Sequence, residues 1–156
     1  HAIIKAGLFM AIGCVVYRIG SARLTDMKGI GRQMPWTMAA FSVCGLSLIG
    51  IPFTAGFVSK WYLILATLER GWWPVAALIV LTSLLAVIYV WRVIETAYFQ
   101  PAEKRPASMP PIREAPLWLL IPTWVLVLAN IYFGLETTAS VDVAGAAAKM
   151  LMGGGG

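Results

Sequence analysis

The sequence predicts an all-α fold: an integral membrane helical bundle of about four transmembrane helices, the second one broken at residues 50–56. Three observations carry that reading. Of the 156 residues, 60% are hydrophobic and only 12% charged, and the mean hydropathy is +0.80, whereas a soluble domain carries about a quarter charged residues. Four stretches hold no charge at all, residues 6–17, 33–59, 71–91 and 115–135, and three of them reach the roughly 20 residues that cross a bilayer. The first of those three is interrupted by Gly50, Pro52 and Gly56, a combination that ends a helix.

The first span is expected over about residues 2–19 and closes on Arg18 and Gly20. A basic loop follows over residues 21–35, where Gly29, Gly31 and Pro35 are expected to break any regular element. The second span covers about 36–68. Its first half carries small residues at Ala39, Ala40, Ser42, Gly45 and Ser47, which let neighbouring helices approach closely in lipid. At Gly50-Ile51-Pro52-Phe53-Thr54-Ala55-Gly56 the proline removes a donor and clashes with the preceding turn. Exposed non-helical backbone is not tolerated in hydrocarbon, so this break must be buried in protein or face water. The third span, about 73–99, is long enough to tilt or project beyond the bilayer. Trp72, Trp73, Tyr89, Trp91 and Tyr98 suit interfacial belts at its ends. A proline-rich linker with Pro101, Pro106, Pro110 and Pro111 leads to the fourth span, about 115–135. Residues 1–135 thus form a transmembrane portion, and 136–156 form an external tail with the composition of a short interfacial helix.

Basic residues set the orientation. Arg18, Arg23, Lys28, Arg32, Lys104, Arg105 and Arg113 fall in the loops after spans one and three, against Arg70 after span two and Lys149 in the tail. By the positive-inside rule the two basic loops are cytoplasmic and the C-terminus lies outside. The net charge of +5 is therefore a topology signal rather than a nucleic-acid footprint. Cys14 and Cys44 both lie in apolar segments and form no disulfide framework. One histidine and seven carboxylates leave no cluster with metal-ligand spacing, and no phosphate- or cofactor-binding motif is present. Because the chain opens at His1 inside an apolar helical pattern, it reads as a piece of a longer protein.

Three ionisable residues stand at or near membrane depth: His1, Lys5 and Lys60. A lysine at a helix centre costs about 2.5–3.5 kcal/mol on insertion scales, so it needs a partner or a water path. His1 and Lys5 share a helix face at i, i+4, and an imidazole that titrates near neutral pH can exchange protons with an ammonium one turn away. Two blander readings stay open for them: His1 as a boundary group in water, and Lys5 snorkelling to the outer interface. Lys60 is harder to dismiss, because it follows a broken helix that supplies free carbonyls and access for water.

The runs His1-Ala-Ile-Ile-Lys5-Ala-Gly-Leu-Phe9, Leu24-Thr-Asp-Met-Lys-Gly-Ile-Gly-Arg-Gln-Met-Pro35 and Gly50-Ile-Pro-Phe-Thr-Ala-Gly-Phe-Val-Ser-Lys60-Trp61 resemble the antiporter-like proton channel family. That family includes the large membrane subunits of respiratory complex I and the D-type subunits of Mrp-type cation/proton antiporters. The Gly-Phe-Val-Ser-Lys-Trp run looks more like the Mrp branch. The resemblance implies fourteen helices with two inverted five-helix repeats, each holding one broken helix, the spans here being the eleventh to fourteenth. It places Lys60 on the lysine of the second broken helix and His1 and Lys5 on the relay in the helix before it. It also implies further membrane subunits as partners, with protons and Na+ as the transported ions. The family's upstream glutamate and lysines precede His1, so a fragment of this extent is not expected to translocate ions alone. At Phe53 a second proline is frequent in the family.

Overall fold

The computed structural model describes residues 1–102, 111–151 and 153, and is helical wherever it is regular. The helices are α1 (Ala2–Ile19), α2 (Ile30–Gln33), α3 (Pro35–Ile49), α4 (Ala55–Glu69), α5 (Trp73–Tyr98), α6 (Leu117–Leu135) and α7 (Thr138–Leu151), with one 3₁₀ turn at Leu24–Met27. Three of them, α1, α5 and α6, are long and apolar enough to cross a membrane, and α3 is a shorter apolar helix. The second expected span is therefore two helices, α3 and α4, and it divides at the glycine–proline segment. Lys104, Arg105, Pro106 and Pro110 of the linker lie outside the described residues.

The bundle is centred on α1, α3 and α6, with α4 and α5 packed around α3. Ala11, Cys14 and Val15 of α1 meet Met38 and Phe41 of α3 in the core, while Ala40 and Cys44 pack against Val127 of α6. Most large apolar side chains of α5 point away from the protein: Leu78, Leu81, Leu84, Leu85 and Ile88 are all exposed. In water such a face would be an aggregation site; in a bilayer it faces lipid or other helices. Cys14 and Cys44 are both buried thiols without a disulfide.

Residues 21–35 depart from the expected irregular loop. They form the 3₁₀ turn and α2, which tuck under the bundle and bury Met27, Ile30 and Met34. Gly29 and Pro35 begin helices rather than break them, and Gly31 lies inside α2. Gly29 takes a left-handed φ of 68° at the N-cap of α2 and donates its N–H to Thr96 O of α5 (3.1 Å). Pro35 is the first residue of α3, where its missing N–H costs nothing. Tyr98 is half-buried, with its ring against Gly31, whereas Trp72, Trp73, Tyr89 and Trp91 are exposed.

The linker returns to the bundle at Glu114, a residue that ties α1 and α3 together. Its carboxylate accepts from Trp36 N–H (2.8 Å) and Thr37 Oγ1 (2.5 Å) in the first turn of α3. Its backbone carbonyl accepts from Nε (2.9 Å) and Nη2 (2.5 Å) of Arg18 at the end of α1. A carboxylate at a helix N-terminus satisfies orphan N–H groups and meets the positive end of the dipole. Glu114→Ala should therefore cost about 1–2 kcal/mol, read as a lowered thermal midpoint of the purified assembly; an unchanged midpoint would mean that water caps α3 equally well. Nearby, Asp26 of the 3₁₀ turn sits below the usual carboxylate range, because the hydroxyls of Ser21 and Thr25 favour its ionised form.

Candidate functional site

The break begins where Gly50 ends α3 with a φ of 98° and an N–H donated to Leu46 O. Ile51 N–H bonds the same carbonyl (3.2 Å). Phe53 follows with a φ of 70°, and it is the only non-glycine residue with positive φ among the described residues. A side chain in that region costs about 1–3 kcal/mol, and a proline cannot reach it at all. The break in this chain thus has a shape that a second proline at this position would forbid. Thr54, extended at φ −120°, opens α4 and turns its hydroxyl back to Ile51 O (2.6 Å).

The two half-helices are not end to end. Gly56, in the first turn of α4, lies directly against the Ser47 backbone in the last turns of α3, so tightly that a Cβ would overlap the Ser47 carbonyl oxygen. Its N–H donates to Ser47 Oγ (3.3 Å), and Ser47 Oγ donates to Asn130 Oδ1 of α6 (2.8 Å). Ser47 and Asn130 are wholly buried. One chain of hydrogen bonds therefore ties α6, α3 and α4 together at the break.

That offset brings Lys60 back beside the end of α3. Its Nζ donates to Leu48 O (2.7 Å), Ile49 O (2.9 Å) and Ser83 Oγ of α5 (2.8 Å). The last carbonyls of a helix have no intrahelical partner and form the negative end of its dipole. A cation is the natural group to cover them, and all three N–H bonds of the ammonium are used. Its partners are uncharged, so the lysine can change charge state without breaking an ion pair.

His1 is the N-cap of α1 and makes no side-chain capping bond; His1 and Lys5 are both exposed. Neither is a hydrogen-bond partner of Lys60. An apolar groove of about 640 Å³, lined by Ile3, Ala55, Val58, Ser59, Tyr62 and Val141 among others, lies between the start of α1, α4 and α7. The structure therefore brings Lys60 together with the break residues Gly50 and Gly56, but leaves His1 and Lys5 on an open face. Pro52 is exposed on the connecting turn. Ser83, Asn130 and Glu114 are polar partners that the sequence alone did not single out, and Ser47 stood out there only for its small size. Of these only Asn130, an amide inside a charge-free span, carried a signal: a polar group at membrane depth marks a partner or a path. Cys14 Sγ and Thr123 Oγ1 add a second buried polar contact at 3.8 Å between α1 and α6. Among the described residues no group of three or more His, Cys, Asp or Glu converges as a metal site.

Comparison with known proteins places this arrangement. Residues 1–86 match the family model described as NADH:quinone oxidoreductase/Mrp antiporter, TM. The chain is 42% identical over 144 residues to NADH-quinone oxidoreductase subunit N of Desulforudis audaxviator, covering 86% of this chain and 29% of the relative. It is 31% identical over 135 residues to the D subunit of the Na(+)/H(+) antiporter of Bacillus subtilis, covering 86% of this chain and 27% of the relative. Among solved structures it superposes on a chain of the Mrp complex from Dietzia sp. DQ12-45-1b with a TM-score of 0.83 and 26% identity, over 96% of this chain and 35% of that one. The chain thus spans about a third of the length of the proteins it matches. The chain belongs to the NADH:quinone oxidoreductase/Mrp antiporter transmembrane family.

Proposed function

We propose that the protein to which this chain belongs is a proton-translocating subunit of a multisubunit monovalent cation (Na+)/proton antiporter, and that Lys60 carries protons across the second half of its path. The observation that carries this reading is Lys60 itself, an ammonium at a helix break inside an apolar bundle, held by two backbone carbonyls and a hydroxyl with no counter-ion among them. A half-buried charge so placed is a functional group by default, because an apolar residue would insert into the membrane more cheaply. His1 and Lys5 would deliver the proton through bridging waters from the face of α1, which is exposed here and where further helices of a longer chain would pack. The basic loops face the cytoplasm in this reading. Residues 136–156, which include α7, form the external tail, and the protein works in the cell membrane among other membrane subunits.

A second reading has its own support. The identity to the quinone oxidoreductase relative, 42%, exceeds that to the antiporter relative, 31%, which favours a proton-pumping subunit of a complex I-type NADH–quinone oxidoreductase. Everted membrane vesicles holding the full-length subunit in its assembly separate the two. A NaCl pulse that collapses a preformed proton gradient, followed with a pH dye, is the result expected of a cation/proton antiporter. No response to Na+, with proton uptake driven by NADH and quinone instead, would overturn it in favour of the second reading.

A further inference from the structure

We infer that Ser83 is a positioning residue for Lys60, a hydroxyl rotor that holds the lysine in both of its protonation states. The inference rests on the reading that Lys60 carries protons, and it assigns a role to a side chain on a different helix from the break. The ammonium offers three N–H bonds and meets three acceptors: Leu48 O, Ile49 O and Ser83 Oγ. When Nζ gives one proton to water, one N–H bond breaks, and the nitrogen keeps two N–H bonds and gains a lone pair. The two carbonyls can hold the remaining N–H groups, but a carbonyl has no proton to offer the lone pair. Ser83 does, since a hydroxyl both donates and accepts.

The present bond of that hydroxyl shows that it is easily redirected. Ser83 Oγ donates to Ile79 O at 3.1 Å, but the same carbonyl also accepts from Thr82 Oγ1 at 2.8 Å. Turning the Ser83 proton from Ile79 O to Nζ therefore strands no acceptor. The proton that leaves is the lysine's own, and the serine proton only changes its partner, so no other covalent bond is made or broken. Without the rotor the free amine would be left with an unanswered lone pair at membrane depth. The other titratable side chains on the elements packed against α4 are Cys44 of α3, Tyr89, Arg92, Glu95 and Tyr98 of α5, and Tyr132 of α6; α4 itself adds Tyr62 and Glu69, and Asp142 and Lys149 of α7 are exposed beyond the groove. None of them bonds Nζ, so the three neutral partners set its local balance.

The test uses the full-length subunit in its native assembly, in everted vesicles, with assembled amounts measured by immunoblot. In Ser83→Ala the ammonium loses an acceptor, and bonds to a charged donor are the stronger kind. The pH profile of proton transport should therefore move to the acid side by about one unit, with the maximal rate falling about tenfold. Ser83→Thr, which keeps the hydroxyl, should restore both. A Ser83→Ala assembly with the wild-type profile would overturn the inference whatever its rate, because a packing defect alone does not move the profile; Ser83→Thr behaving like Ser83→Ala would overturn it too. Lys60→Ala is the separating arm. Transport retained there removes the proton-carrying reading itself, whereas transport lost there beside an unshifted Ser83→Ala profile overturns only the role of Ser83.

Discussion

Lys60→Ala should abolish proton transport, by at least about a hundredfold, while leaving the assembly intact. A positioned proton carrier contributes roughly 10²–10⁴ in rate, and among the described residues no other titratable side chain is bonded at the end of α3 to replace it. Assembly should survive because two costs change in opposite directions. The carbonyls of Leu48 and Ile49 lose a charged donor, which removes about 1.5–3 kcal/mol per bond. The chain also no longer has to insert a lysine, which relieves about 2.5–3.5 kcal/mol. The sharper variant is Lys60→Arg. It keeps the positive charge over the helix end, but a guanidinium does not deprotonate in proteins. If Lys60 acts only as a fixed charge that holds α3 and α4 together, Lys60→Arg should transport protons and Lys60→Met should assemble poorly. If it carries protons, Lys60→Arg should be as inactive as Lys60→Ala. Full transport in Lys60→Met would instead assign the chain a structural role. Two charges 8 Å apart at an effective dielectric near 20 interact by about 2 kcal/mol, enough to move a titration by more than one unit, so the charge on Lys60 can also be felt by ionisable groups elsewhere on the path.

What made Lys60 legible in the sequence was contrast: one charge in a long apolar run, after a glycine–proline interruption. The spans were legible for the same reason, because burial in lipid demands uninterrupted apolar residues and leaves little room for ambiguity. The partners of Lys60 were not legible. Ser83 is one hydroxyl in a lipid-spanning helix, and its meaning depends on which face of α5 meets α4, which no periodicity reports. Glu114 looked like the end of a linker, because its partners Thr37 and Trp36 are 77 and 78 residues away in sequence. The loop at residues 21–35 misled for a chemical reason. Glycine and proline interrupt a helix in its interior but begin and end helices well, and here Gly29 and Pro35 do the latter. Tyr98 suited an interfacial belt by position, and what the sequence did not show is that its half-buried ring packs on Gly31 of α2.

Gly56→Ala should be the most damaging glycine-to-alanine change among the described residues. By intrinsic propensity it ought to stabilise α4, since alanine exceeds glycine in a helix by about 1 kcal/mol. The surroundings reverse that sign. The added Cβ would overlap the Ser47 carbonyl oxygen, a backbone atom that cannot swing aside, with Ser47 Oγ at 3.1 Å. Relief requires α4 to move off α3, which stretches the Gly56 N–H bond to Ser47 Oγ and, through it, the link to Asn130 on α6. Overpacking of this kind costs about 1–3 kcal/mol. The same displacement draws Lys60, one turn further along α4, away from Leu48 O and Ile49 O, so transport should fall along with assembly. Gly145→Ala is the matched control: it adds the same methyl inside α7, where nothing lies within 4 Å of the new Cβ, and it should leave assembly unchanged or slightly improved. The measurement is the amount of intact complex recovered in mild detergent, together with its thermal midpoint, for both variants. Wild-type recovery and transport in Gly56→Ala would mean that the half-helices do not overlap at Ser47, and the seat of Lys60 against the end of α3 would then have to be abandoned with it.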